Sequence, residues 1–316
     1  MAISVERARK HTKHWTEALA RFRSRANWGS SLFHACQIET AAEILRQGQI
    51  ICRRDVPVIV CDVANQGALW NNPAAHEYVR LYFRPKNHFH LKTEGIKSST
   101  DPYRIDPHMS VPVMFVFDFV AVMQLASSYF VSGNFASLAA VPQQGDSHFD
   151  HLNFEHIYHD SAVSPDMMQT IHEARMAEVV VSRSLSLEHL RAVVCRTVHE
   201  ESMLKHMLRG MDINQYRFAV ERRGSVFIKR GIYITEIYTR NGNLHFNFTS
   251  PAAAPKERYS VNVRCGAMSC NFDLAPKRSR IPQITNHDPD AVWRVEIEGC
   301  VAFEGPVATA DMPIVA

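Results

Sequence analysis

The chain has 316 residues, of which 46% are hydrophobic and 21% charged, ordinary globular values that exclude a disordered or low-complexity polymer. A formal charge of +3 and a pI near 8.5 exclude the strongly basic footprint of a dedicated chromatin or ribosomal protein, so any nucleic-acid surface is a local patch. No run approaches the roughly 18–20 apolar residues of a membrane span, the N-terminus lacks an apolar signal core, and seven scattered cysteines fit reduced thiols in a cytoplasmic protein.

In chain order, residues 5–28 read as a basic helix, with Arg7, Arg9, Lys10, Lys13, Arg21, Arg23 and Arg25 outnumbering Glu6 and Glu17. It is either a solvated face or an arm that contacts phosphates. Leu32 to Cys36 reads as a short strand, followed by the helical spacing Ile38, Ala41, Ala42, Leu45 and a closing Gly48. Apolar runs predict strands over 55–63, 78–83 and 111–117, the second ending at the Pro85 turn. From Ser132 to Asp166 periodicity fails, which marks a long functional or partly disordered loop. A Val-rich strand returns at Ala177 to Ser182, then a helical turn from Ser186 and a strand over 193–197.

Beyond about Gly210 the pattern becomes β alternation, with an Asn241-Gly242 hairpin signal. The organisation predicted is a basic N-terminal helix (1–29), an α/β domain (30–210) and a β-rich C-terminal domain or extension (211–316). The basic run Lys277-Arg278-Ser279-Arg280 is a candidate nucleic-acid contact or an exposed loop.

Several chemistries lack their signatures. Neither His172-Glu173 nor His199-Glu200 is followed by the second histidine of a zinc helix. His148, His151, His156 and His159 lack regular ligand spacing, and Cys265 and Cys270 have no downstream pair, so no metal is expected. Nucleophile-elbow, P-loop and dinucleotide fingerprints are absent too. What remains is a histidine after the first strand, a cation after the second and a glutamate opening a later one. That set suits cleavage of the bond between nicotinamide and ribose in NAD⁺: a carboxylate stabilises an oxocarbenium-like state and takes the nucleophile's proton, and a cation holds the pyrophosphate.

These segments resemble the DarT-type nucleic-acid ADP-ribosyltransferases over roughly residues 30–200. Phe33-His34-Ala35-Cys36 with Ile38, Ala41, Ile44-Leu45 and Gly48 is similar to the family's opening strand and helix. Tyr78-Val79-Arg80-Leu81-Tyr82-Phe83-Arg84-Pro85-Lys86 is similar to its Tyr-Val-Pro-Phe-Tyr-Phe strand and Pro-Arg turn, with Lys86 where the family carries its functional arginine. Lysine keeps the charge and loses the planar fork, and Arg84 is a candidate to compensate. Phe130 to Ser137 looks like the family's Phe-Thr-Asp-Gly-Asn-Ala-Ala segment, with Ser132 replacing the aspartate; Phe149 to Asn153 resembles the start of its substrate loop. Glu178 in Ala177-Glu178-Val179-Val180-Val181 matches its catalytic glutamate, a residue that composition alone would leave as an unremarkable strand edge.

The resemblance implies an α/β (α+β) fold with a split central sheet, NAD⁺ as co-substrate, and transfer of ADP-ribose to a base of single-stranded DNA, thymidine above all, by a toxin or anti-phage effector paired with an antitoxin protein. It implies Glu178 and Lys86 as catalytic residues, with His34, Ala35, Cys36, Gly48, Tyr82, Arg84 and Lys86 around NAD⁺. Ser132, Asn134 and Arg175 would serve the nucleic acid, and Phe149 and Phe154 would stack on the base as exposed aromatics. RNA or another base such as guanine, an NAD⁺ glycohydrolase, a protein modifier and an inactive nucleic-acid-binding module remain as alternatives.

Overall fold

A computed structural model describes residues 1–61, 72–98, 100–102, 108–137, 140–222, 224–252, 255–276 and 279–309, without the side chains of 279–283. Helix α1 (Val5–Leu19) opens where the Ser4 hydroxyl accepts from Arg7 N, and buries Ala8, His11, Trp15 and Leu19, which recur at helical spacing. Arg9, Lys10 and Lys13 are left exposed on the other face. The helix ends at Leu19 instead of continuing to Trp28 because the chain folds back on it: a Cβ on Gly29 would lie 2.3 Å from that of Trp15, an approach only glycine permits.

Strand β1 (Ser31–Gln37) feeds α2 (Ile38–Gln47), which stops at Gly48 with a left-handed φ of 67°. After β2 (Gln49–Ile51) the strand expected over 55–63 does not form in 55–61. Asp55 N and Val56 N both bond back to the Cys52 carbonyl, which turns the chain away from any ladder. Gly67, expected to end that strand, lies outside the described residues.

The central sheet combines β3 (Tyr78–Tyr82), β4 (Pro112–Asp118), β5 (Ser128–Val131), β6 (Glu178–Ser182), β8 (Leu190–Cys195) and β9 (Phe218–Val220) with β1, in the order β5-β6-β3-β1-β4-β8-β9. All described pairs are antiparallel except β8 with β9. Strand β1 pairs with β4 along its whole length, and β3 does the same with β6, yet between β1 and β3 only Phe33 faces Tyr82. The sheet is therefore two tightly laddered blocks joined at a pinch, the split that the resemblance implied. Strand β7 (Ser184–Ser186) pairs with β2 beside it.

The irregular stretch after β5 holds two one-turn helices, Asp146–Asp150 and Phe154–Ile157, which carry aromatic side chains into the core. In the β-rich part, β10 (Ile234–Arg240), β11 (Asn243–Phe248) and β14 (Ser279–Thr285) form one small sheet. A second consists of β12 (Tyr259–Cys265), β13 (Met268–Leu274), β15 (Val292–Ile297) and β16 (Cys300–Pro306). Asn241 and Gly242 take positive φ values of 51° and 73° in the predicted hairpin. Lys277 and Arg278 of the basic run lie outside the described residues, as do the side chains of Ser279 and Arg280.

One apolar cluster runs from Ala2 to Val307, so β-rich part and central sheet share a core. A buried ion pair helps to join them. Arg196, after β8, gives its guanidinium to Glu200 at 2.5 and 2.9 Å and to the Ser110 carbonyl at 2.8 Å, and lies 4.9 Å from the ring of Tyr233. Among the described residues no helix is long and apolar enough to cross a membrane.

Candidate active site

The pinch between β1 and β3 opens into a cavity of about 430 Å³. His34, Ala35 and Cys36 of β1 line one wall; Tyr78, Arg80 and Tyr82, which alternate onto one face of β3, line the other. Asn134, Ala136 and Met176 close the end near β6, and Val58, Ile59 and Val60 form an exposed apolar lip. His34 Nδ1 lies 3.0 Å from the Arg80 carbonyl. A carbonyl only accepts, so Nδ1 carries the proton. Burial first, and the Arg80 charge further, lower the His34 pKa against the raising effect of that hydrogen bond. The imidazole is thus neutral, with Nε2 left as an acceptor.

Glu178 opens β6 between two neighbours, opposite Tyr82 of β3 and Val131 of β5, and is fully buried. It is no strand edge. Its Oε2 accepts from Arg80 Nε at 2.6 Å, and its Oε1 accepts from Arg80 Nη2 at 2.5 Å and from Phe135 N at 3.2 Å. Arg80 Nη2 also reaches Asn134 Oδ1 at 2.8 Å, which in turn accepts from Ala136 N at 3.0 Å. A buried carboxylate needs such compensation, and a guanidinium fork supplies two parallel hydrogen bonds with the opposite charge. Burial works against the Arg80 cation, but Glu178 more than offsets it, so the Arg80 pKa rises above the ordinary arginine value. Burial first and the Glu178 charge second push the Tyr82 hydroxyl up, so it stays protonated.

Of the residues singled out in the sequence, His34, Ala35, Cys36, Tyr82 and Asn134 line this cavity, and Glu178 lies directly behind Arg80. The others are placed differently. Gly48 is a helix cap outside the lining, its carbonyl accepting from Leu187 N. Ser132 is exposed and outside it as well. Phe149 and Phe154 are not exposed aromatics: they are 0% and 6% exposed and pack with His11, Phe83 and Phe119, because the one-turn helices that carry them face the core. No base can stack there.

Arg84 does not reach the cavity either. It is 1% exposed and binds the carbonyls of Pro85 and His159 and the Asp160 carboxylate (2.6 Å), with Trp28 4.6 Å beneath it. Burial is the main cause that lowers its pKa to about 10. It acts as a structural tie: β3 ends at Tyr82, and the bend that follows takes 84 off the face that alternation gives to 78, 80 and 82.

Lys86 adopts a left-handed φ of 56°, donates its backbone N–H to His90 Nδ1 at 3.1 Å and its ammonium to the Gly224 carbonyl. That turn sends it into a second cavity of about 360 Å³, with Arg175, Arg230, His172, Asp160 and His88. His88 borders both cavities. Asp160 is already paired with Arg84, so Lys86, Arg175 and Arg230 leave this cavity cationic.

Arg80 is the site residue that the motif pattern does not single out. Its signal was present: a cation at the centre of an otherwise apolar and aromatic strand, on the same face as Tyr78 and Tyr82, must be paired inside.

Among described residues no group of three or more His, Cys, Asp and Glu side chains is arranged to hold a metal ion. A family model described as ssDNA thymidine ADP-ribosyltransferase, DarT, matches residues 33–228. Among solved structures, the chain is similar to Thermus sp. 2.9 DarT in complex with NAD⁺, at 16% identity and a TM-score of 0.50, over 63% of this chain and 98% of that one. It is similar also to the same protein in complex with ADP-ribosylated ssDNA, at 15% identity and a TM-score of 0.50, over 63% and 96%. Such distant likeness is evidence for the fold. No curated protein matches the chain. With more than half of its residues matched, and the split sheet and buried glutamate in place, the chain belongs to the DarT family of NAD-dependent ADP-ribosyltransferases that act on thymidine in single-stranded DNA.

Proposed function

We propose that the cavity at the β1–β3 pinch takes NAD⁺ and that Glu178 is the catalytic carboxylate for transfer of ADP-ribose to thymidine of single-stranded DNA. The observation that carries this reading is the Glu178 carboxylate, fully buried, held by three N–H donors and separated from the cavity by Arg80 alone among its side-chain partners. The Thermus protein with 98% of its length matched is described in complex with NAD⁺, and the same protein with ADP-ribosylated ssDNA.

In this reading a negative charge fixed near the ribose favours the oxocarbenium-like state as nicotinamide leaves, and the carboxylate accepts the proton of the attacking base nitrogen. The neutral His34 presents Nε2 as an acceptor, suited to the amide N–H groups or hydroxyls at the nicotinamide riboside end. The apolar lip of Val58, Ile59 and Val60 offers water no hydrogen-bond partner from its side chains at the mouth, where water would compete with the base as nucleophile. The cationic second cavity, contiguous through His88, supports a path for the DNA backbone, with Lys86, Arg175 and Arg230 attracting phosphates. A base removed from any stack would then reach from that path into the first cavity.

The biological reading is a toxin or anti-phage effector acting in the cytoplasm and restrained by an antitoxin protein, with residues 211–316 as a β-rich extension of the catalytic domain. The test is mass spectrometry of nucleosides after the full chain is incubated with NAD⁺ and DNA or RNA oligonucleotides of each base. ADP-ribosyl-thymidine, formed by wild type and lost in Glu178→Gln, supports the reading. Modified guanine, modified RNA or free ADP-ribose alone selects one of the alternatives, and equal activity of wild type and Glu178→Gln rejects the assignment of the carboxylate.

A further inference from the structure

The family motif points to Lys86 as the functional cation, with Arg84 in reserve, yet neither side chain reaches the carboxylate: Lys86 is committed to the second cavity and Arg84 to backbone carbonyls, Asp160 and Trp28. We infer that Arg80 is the positioning residue for Glu178. The inference rests on the reading of Glu178 as the catalytic carboxylate.

The geometry supports this in three ways. First, among the described residues Arg80 both lines the cavity and bonds to each oxygen of Glu178. A fork bound to both oxygens fixes the plane of the carboxylate, and so the direction in which its free lone pairs point. A lysine, with a single point charge on a flexible stem, fixes neither.

Second, the same guanidinium reaches Asn134 Oδ1, which holds the turn through Ala136 N, while Phe135 N from that turn bonds back to Glu178. Carboxylate, cation and the cavity's end wall therefore form one closed circuit, and Arg80 is its hub. Third, Arg80 is anchored from its backbone: its carbonyl accepts from His34 across the pinch, and β3 pairs with β6 from Tyr78 to Tyr82. A side chain that starts from a backbone held on both flanks lies within a narrow range of positions, as pre-organised catalysis needs.

One consequence separates positioning from mere structural support. Loss of the fork lowers turnover while NAD⁺ still finds its cavity walls, so kcat falls and KM does not follow.

The experiment compares the full-length wild type, Arg80→Lys, Arg80→Gln and Glu178→Gln, with NAD⁺ and a thymidine oligonucleotide, measuring kcat, KM for NAD⁺ and the melting temperature. The expected result for Arg80→Lys is a kcat lower by roughly 100-fold, the scale on which misplacement of a reacting group acts, with KM for NAD⁺ within about threefold of wild type. If Arg80→Gln does not fold, Arg80→Lys, which keeps the charge and loses the fork, carries the comparison of kcat with KM. Arg80→Lys with kcat within about twofold of wild type, beside an inactive Glu178→Gln, overturns this inference alone. A fully active Glu178→Gln overturns the reading on which it rests.

Discussion

His34 and Arg80 are joined by one hydrogen bond, from the imidazole Nδ1 to the main-chain carbonyl at 3.0 Å, across the pinch where β1 and β3 have a single facing pair. The bond links the two blocks of the sheet at the mouth of the cavity. His34→Ala removes it together with the Nε2 acceptor. The expected cost is about 1 kcal/mol of fold stability, the ordinary net value of such a bond. Steady-state titration should show KM for NAD⁺ raised by roughly tenfold, as the loss of one good polar contact gives.

The second cavity is expected to act through charge. Arg230→Glu and Arg175→Glu should weaken binding of a thymidine oligonucleotide and flatten its salt dependence by roughly 0.7 in the logarithmic slope for each phosphate that is no longer neutralised. Fluorescence anisotropy over a salt series measures this directly. An unchanged slope in both variants would remove this cavity from the DNA path.

Phe149→Ala provides a check on burial against recognition. The ring is 0% exposed and packs on His11, Phe119, Phe130 and Phe154, so truncation should destabilise the fold by about 3–5 kcal/mol. Denaturant unfolding measures the loss. The folded fraction should bind the oligonucleotide with wild-type affinity.

Stability should fall as the solution is acidified below neutrality. Burial, with smaller contributions from neighbouring charges, lowers both His11 and His90 from 6.5 to about 3, and His90 Nδ1 accepts from Lys86 N, a bond that the protonated ring cannot make. Above pH 6.5 both states carry neutral rings and the effect vanishes. As pH falls below 6.5 the unfolded chain takes up protons that the folded chain refuses, and each ring costs about 1.4 kcal/mol per pH unit until its folded pKa is approached. Denaturant midpoints at pH 7 and pH 5 (about two units apart) should show the decline. His11→Phe, placed among aromatic rings, should make it shallower.

Glu200→Ala tests the joint between the central sheet and the β-rich part. It strands the Arg196 guanidinium, 2% exposed, without its carboxylate. A loss of about 3–5 kcal/mol is expected, because the desolvated cation remains while its partner is gone. Thermal unfolding of the full chain measures it.

Much of this was legible in the residues. Period-2 and period-3.6 patterns located β1, α2, β4, β6 and the Asn241-Gly242 hairpin, because local backbone preference and a single buried face suffice for such elements. Glu178 drew notice only through the family resemblance, since a charged residue heading a Val-rich strand has by itself no local signal of a site. The helix expected to Trp28 failed at Leu19 because its end is set by Gly29 packing on Trp15, a contact between residues with no local signal of partnership.

Local pattern by itself determined that 78–82 form a strand, and so that Tyr78, Arg80 and Tyr82 share a face. Which cation meets the glutamate was decided only by tertiary structure. Strand pairing sets Glu178 beside β3, the left-handed Lys86 turns its side chain into the other cavity, and the bend after Tyr82 buries Arg84 against His159 and Asp160. A buried carboxylate takes the cation that register brings within hydrogen-bonding reach, and register is a property of the folded sheet, set by long-range pairs that no window of the chain contains.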